Sequence, residues 1–153
     1  MSDRDVSRWR RTSVHDVATT IDRLESAVAE FGGIKRIARV DQAEVARLGG
    51  ARVAPAEVLI IENPGLVAEL AAVDPELLSE LPIRVFAWQD AEGQTWVRTA
   101  PPSRIGDGDS DHPEVQEVRA AIDRILGGWL DLAVAADGER SCDRDLGHRG
   151  EDW

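Results

Sequence analysis

The chain has 153 residues, of which 42% are hydrophobic and 31% charged, which is typical of one soluble globular domain. Its formal net charge of −11 disfavours nucleic-acid phosphates as partners, and its single cysteine excludes an internal disulfide. No apolar run approaches the ~20 residues that cross a bilayer, and the first residues lack the apolar core of a secretory signal. We therefore expect a cytoplasmic protein without a membrane partner.

The first predicted elements are a short strand, from about Trp9 to Ser13, and an amphipathic helix. Ser13 lies three residues before Asp16, which is the spacing of a helix-capping box. An apolar stripe at helical spacing follows, and Gly32-Gly33 can end that helix. The stripe consists of Val17, Ile21, Leu24, Val28 and Phe31.

Two further strand and helix pairs are predicted in the middle of the chain. Residues 34–40 indicate a strand, and residues 41–48 a short helix opened by Asp41. Residues 57–61 include four consecutive apolar side chains, which predicts a strand buried on both faces. A helix then begins at the Asn63-Pro64 corner, because asparagine is favoured at the N-cap and proline at the first helical position.

A β-hairpin is the clearest local signal, in the stretch PIRVFAWQDAEGQTWVRT. Residues 90–93 fit a type I turn with glycine in the left-handed position. Placing Asp90 opposite Gln94 aligns Trp88 with Trp96. An aromatic pair of that kind stabilises a hairpin by roughly 0.5–1 kcal/mol relative to two alanines.

The last predicted element is a long helix from about Pro113 to Ala136, which Gly127-Gly128 should interrupt or kink. Its apolar seam could pair with a second chain or pack on the sheet of its own chain, which is the commoner arrangement. Residues 137–153 are polar and without period, which predicts a disordered tail. We therefore predict a single α+β domain over residues 1–136.

The acidic stretch before the long helix only partly resembles a calcium loop. Asp107, Asp109 and Asp111 alternate correctly, but His112 and Val118 stand where an EF-hand requires glycine and glutamate. We interpret Asp111, with Glu114 three residues later, as a helix cap.

Other candidates for chemistry are weaker. Cys142 and His148 need further ligands to bind zinc, and Cys142 lacks an organised base. The arginine-rich start, with Arg4, Arg8, Arg10 and Arg11 around Trp9, is interpreted as a solvated arm. No metal, cofactor or nucleic acid is expected.

The spacing of several residues resembles the family called domain of unknown function 302, over about residues 13–102. The residues that carry the resemblance are Thr20, Arg23-Leu24, Ala38-Arg39-Val40-Asp41, Asn63-Pro64, Leu70, Asp74-Pro75, Leu81-Pro82, Val85, Trp88, Gly93 and Trp96. The resemblance implies a fold grouped with the TATA-binding protein, in the order β-α-β-β-β-β-α, and a homodimer. We expect short helices inserted on either side of the third strand, and the long C-terminal helix packed on an antiparallel sheet.

This chain departs from the family pattern at positions that could carry function. Many members have glycine or cysteine at the position of Glu62, and histidine at that of Gln42. Many also have a Gly-Thr-Pro-Leu-Met run where this chain has residues 67–71. The amides at the start of the helix after Asn63 could attract an anion, but Glu62 could occupy that place itself.

Two functions of different classes follow. The first is a non-catalytic homodimer that binds a small molecule or a protein, with candidate ligand-binding residues Asp41, Gln42, Glu62, Asn63, Pro64, Trp88 and Trp96. The second is an enzyme that uses Asp41 and Glu62 as general acid or base, which requires both carboxylates to share one pocket. Nucleic-acid binding by analogy with the fold is a third reading, which the charge disfavours.

Overall fold

The structure is a computed structural model that describes residues 8–106 and 112–138, with residues 35–37 described by their backbone alone. The strands are β1 (Arg10–Ser13), β2 (Lys35–Asp41), β3 (Ala56–Glu62), β4 (Ile83–Gln89) and β5 (Thr95–Thr99). The helices are α1 (Val17–Phe31), α2 (Gln42–Leu48), α3 (Pro64–Val73) and α4 (Pro113–Val134), with 3-10 helices at Pro75–Glu80 and Pro102–Arg104. This is the predicted order, with α2 and α3 as the inserted helices.

The strands form one antiparallel sheet in the order β1-β5-β4-β3-β2. Side chains on one face, including Leu59, Val85 and Val97, are fully buried beneath α1 and α4. Their neighbours on the opposite face, which we call the open face, are partly buried or, at Arg84 and Arg98, exposed. The open face carries Val58, Ile60, Arg84, Phe86, Trp88, Trp96 and Arg98. The prediction that β3 is buried on both faces is therefore wrong, because helices cover only one of them.

Helix α1 supplies much of the core through the predicted apolar stripe. All residues of the stripe are buried except Phe31, which is 51% exposed. The N-cap differs from the prediction. Asp16 caps the helix by accepting a hydrogen bond from the Thr19 amide, which lowers the pKa of its carboxyl. Ser13 instead ends β1, where its hydroxyl lies 2.8 Å from that of Thr20. This buried pair joins the strand to the helix.

Helix α4 runs without interruption through Gly127 and Gly128, so the predicted interruption is wrong. The buried side chains of Leu126, Trp129 and Leu130 flank the two glycines and hold this segment against the core. The helix begins at Pro113, as predicted, but its N-cap position is His112 and not Asp111. The His112 side chain makes no capping hydrogen bond.

Several predicted features lie outside the described residues. They are Arg4, the aspartates of the calcium-like stretch up to Asp111, Cys142, His148 and nearly all of the predicted tail. Across residues 8–106 and 112–138, none of the helices combines the length and apolar character needed to cross a bilayer.

Arg39 connects the paired strands β2 and β3 to α1. Its guanidinium donates to Glu57 on β3 at 2.5 Å, and to Asp22 and Glu25 on α1 at 2.5 and 3.0 Å. The hydrogen bond to Glu57 is the largest of the effects that raise the pKa of Arg39 above its ordinary value, against the opposing effect of burial. Three carboxylates therefore share one cation, and the Glu57 carboxylate is the most buried of them.

Candidate functional site

The Asn63-Pro64 corner is a complete helix cap. The Asn63 side chain accepts hydrogen bonds from the amides of Gly65 at 2.9 Å and Leu66 at 3.3 Å, and Pro64 is the first residue of α3. Asn63 also lines an apolar cavity of only about 40 Å³, which is too small for a metabolite. The corner is a structural junction between β3 and α3.

Glu62 does not occupy the start of α3, contrary to the expectation from sequence, because the Asn63 side chain already satisfies those amides. One carboxylate oxygen of Glu62, Oε1, is buried and has no hydrogen-bond partner among the described residues. In the strand register Glu62 lies opposite Lys35, whose side chain is not described.

Asp41 and Gln42 lie at the other end of β3 from Glu62. Asp41 is opposite Glu57, five residues along the strand from Glu62, which corresponds to about 17 Å at the usual rise per residue. The Asp41 carboxylate caps α2 by accepting from the Glu44 amide at 2.9 Å, and Gln42 is exposed. The structure does not bring Asp41 and Glu62 into one pocket.

Trp88 and Trp96 form an aromatic group on the open face, in the predicted register. Their rings lie 6.4 Å apart at an interplanar angle of 18°, and Phe86 stacks on Trp88 at 5.3 Å and 9°. The Arg10 guanidinium lies 4.0 Å from the centroid of the Trp96 ring. We call Phe86, Trp88 and Trp96 the aromatic platform.

A cleft of about 490 Å³ opens beside the platform, towards the end of the sheet where β4 begins and β5 ends. Phe86 and Trp88 line it, together with Arg84, Arg98 and Arg104. Sequence analysis missed these arginines. Strand alternation places Arg84 and Arg98 on the same face as the tryptophans, so the hairpin register could have revealed them.

The fold and site define an α+β domain with one helix-covered and one open sheet face. Among the described residues, no cluster of three or more His, Cys, Asp or Glu side chains is arranged to hold a metal. Residues 9–128 match the model of the family Domain of unknown function DUF302. The chain belongs to this family, as the resemblance implied.

The chain is also similar to a solved structure of the same family. The crystal structure of an uncharacterized conserved DUF302 protein from Bacillus stearothermophilus superposes with a TM-score of 0.71 at 21% sequence identity. The superposition covers 83% of this chain and 97% of that one. At this identity the likeness shows a shared fold.

Curated relatives are similar over a shorter stretch. A fluoride-specific ion channel FluC 1 of Brucella suis is 34% identical over 91 residues, which are 60% of this chain and 35% of the channel protein. FluC 1 of Brucella abortus matches at the same identity, over 33% of its length. The aligned stretch thus spans about a third of the length of these relatives.

Proposed function

We propose that the chain is a non-catalytic, cytoplasmic, homodimeric module that binds a small molecule or a protein through the open face of its sheet. The observation that carries this proposal is the aromatic platform. Three large rings are stacked on a sheet face that is only partly buried, beside a cleft of ligand size. Aromatic side chains in such a position are typical of binding surfaces.

The aliphatic half of the open face supports the homodimer. Val58 and Ile60 on β3 are partly buried there. Helix α2 exposes Val45 and Leu48 by 51% and 75%, and the loop between α2 and β3 exposes Val53 by 54%. Contiguous exposed apolar surface often marks a protein interface. A second copy of the chain would cover this half and leave the aromatic platform available.

Sedimentation or native mass spectrometry at several protein concentrations tests the dimer. The expected result is a dimer that Leu48→Glu weakens, because it places a charge on the apolar half. Val14→Glu is the matched control, since Val14 is 69% exposed in the loop after β1. A monomer at every concentration contradicts the dimer.

Binding through the open face is tested separately by tryptophan fluorescence. Titration with pooled cell metabolites should change the emission of the wild-type protein, and Trp88→Leu should reduce that change. If none of the metabolite pools changed the tryptophan emission, a small-molecule role for the open face would be contradicted.

The enzyme alternative keeps Asp41 and Glu62 as candidate acid–base groups. Their placement at opposite ends of the paired strands β2 and β3 weighs against it, because general acid–base pairs act on one substrate. Loss of a screened activity in Glu62→Gln, with normal folding and ligand binding, would revive this alternative.

The FluC relatives favour a second candidate, a role in fluoride handling. We infer that the segment shared with those channels has a common binding role in both proteins. Sodium fluoride should then change the tryptophan emission at concentrations where sodium chloride does not. Equal responses to the two salts remove this candidate.

A further inference from the structure

We propose that the cleft beside the aromatic platform binds a small aromatic anion, a planar ring that carries a carboxylate or phosphate group. Arg84, Arg98 and Arg104 would bind the anionic group, while Phe86 and Trp88 would contact the ring. The inference rests on the proposed function, because it names the ligand class for the open face.

The charge at the cleft is the first argument. Arg84, Arg98 and Arg104 make no ion pair within residues 8–106 and 112–138, although the chain carries 29 acidic residues. Arg8, Arg11, Arg23, Arg39 and Arg47 pair with carboxylates, whereas other described arginines, such as Arg52 and Arg124, also lack an ion pair within those ranges. The cleft arginines differ from these because three of them line one cleft. Of the described residues that line the cleft, Glu80 alone is acidic, so positive charge predominates.

The strand register gives a second argument. Arg98 lies directly opposite Arg10 on the neighbouring strand, with both side chains on the open face. Like charges in that position destabilise a sheet, and a bound anion would compensate for them. Arg98 pairs with Phe86, two residues along β4 from Arg84, so Arg84 and Arg98 are diagonal neighbours, a separation that one carboxylate or phosphate group can bridge.

The shape and lining of the cleft define the rest of the ligand. A volume of about 490 Å³ falls within the range of small-molecule sites. The parallel rings of Phe86 and Trp88 suit a planar partner, and Ile83, Ile105 and Leu126 supply apolar walls. Guanidinium groups beside such surfaces favour carboxylate and phosphate through paired hydrogen bonds.

Two dyes with similar rings test the inference by fluorescence titration of the full chain. Anilinonaphthalene sulfonate carries an anionic group that stands in for the carboxylate or phosphate, and N-phenylnaphthylamine is its neutral counterpart. The wild-type protein should bind the anionic dye more tightly. The double variant Arg84→Gln/Arg98→Gln should weaken that binding at least about tenfold, because it removes two charged hydrogen-bond donors, and should leave the neutral dye unaffected.

The matched control is Arg52→Gln/Arg124→Gln, which removes two exposed arginines that do not line the cleft. Circular dichroism and the unfolding midpoint show that both double variants fold. Equal losses in the two double variants, or equal wild-type affinity for the two dyes, would overturn the anion inference. If the neutral dye still quenches the tryptophans in that case, the open face binds a small molecule and the proposed function stands without the anion inference. If neither dye binds, the anion inference fails, and the metabolite titration decides the small-molecule role of the open face.

Discussion

The Asp90 carboxylate accepts a hydrogen bond from the indole Nε1–H of Trp96 at 2.7 Å. The same carboxylate accepts from the backbone amides of Gln94 at 2.8 Å and Glu92 at 3.1 Å. One side chain thus closes the β4–β5 turn and fixes a ring of the aromatic platform. These bonds, led by the one from Trp96, lower the pKa of Asp90 below its ordinary value.

Replacing the indole donor should therefore raise the pKa of Asp90. Trp96→Phe keeps a ring on the open face and removes the N–H group, so the pKa should move back towards the ordinary aspartate value. Nuclear magnetic resonance titration of the Asp90 side-chain carbon measures it directly. Trp88→Phe is the control, because Trp88 donates no hydrogen bond to Asp90. If the pKa of Asp90 did not change in Trp96→Phe, the hydrogen bond from the indole would not be a cause of the lowered pKa.

The lowered pKa also predicts how stability depends on pH. Because the pKa of Asp90 is lower in the folded state, its stabilising contribution is complete above the ordinary value of 3.8 and is lost as the pH falls through the lowered value. Asp90→Asn should be less stable than wild type at neutral pH, and its stability should fall less on acidification. Urea unfolding at a series of pH values measures both. Glu92→Gln, in the same turn, should retain the wild-type profile.

Arg39 should contribute more to stability than any exposed ion pair on the surface. In Arg39→Gln, the Glu57 carboxylate, whose side chain is 14% exposed, loses its ion pair with Arg39. We expect the free energy of unfolding to fall by about 3 kcal/mol, measured by urea denaturation. Arg47→Gln is the control, because the Arg47–Glu44 pair is exposed and should change little. Equal effects of the two substitutions would contradict the role given to Arg39.

Local signals in the sequence predicted the element order and the hairpin register, because turn residues such as Gly93 and the Trp88–Trp96 alignment act over short distances. The layer arrangement was not predictable in the same way. Nothing within residues 57–61 shows that helices pack on one side of β3 alone. The cap at Asp16 was misassigned because the Ser13 hydroxyl has a tertiary partner, which a local pattern does not reveal. Of the cleft arginines, Arg84 and Arg98 could have been placed on the open face from the predicted hairpin register. Arg104 could not, because the tertiary fold brings its 3-10 helix to the cleft.

The Asn63 corner should behave as a structural cap. Asn63→Ala removes the acceptor for the Gly65 and Leu66 amides and should lower the free energy of unfolding by about 1 kcal/mol. Asn63→Asp should retain most of the stability, because aspartate is an equally good N-cap. Binding of the anionic dye should be unchanged in both variants. If Asn63→Asp abolished binding while folding normally, the corner would instead belong to a ligand site.

Two adjacent residues of β3 distinguish the two faces of the sheet. Leu59 is fully buried beneath the helices, so Leu59→Ala should lower the free energy of unfolding by about 2–5 kcal/mol at every protein concentration. Ile60 is only partly buried on the aliphatic half of the open face, so in dilute solution Ile60→Ala should lower the free energy of unfolding by less than Leu59→Ala does. Its cost should grow with protein concentration, because the substitution then also weakens the dimer that stabilises the wild-type protein. Thermal unfolding over a hundredfold range of concentration separates the two effects. A concentration-independent loss in Ile60→Ala would mean that no second copy covers this half of the face.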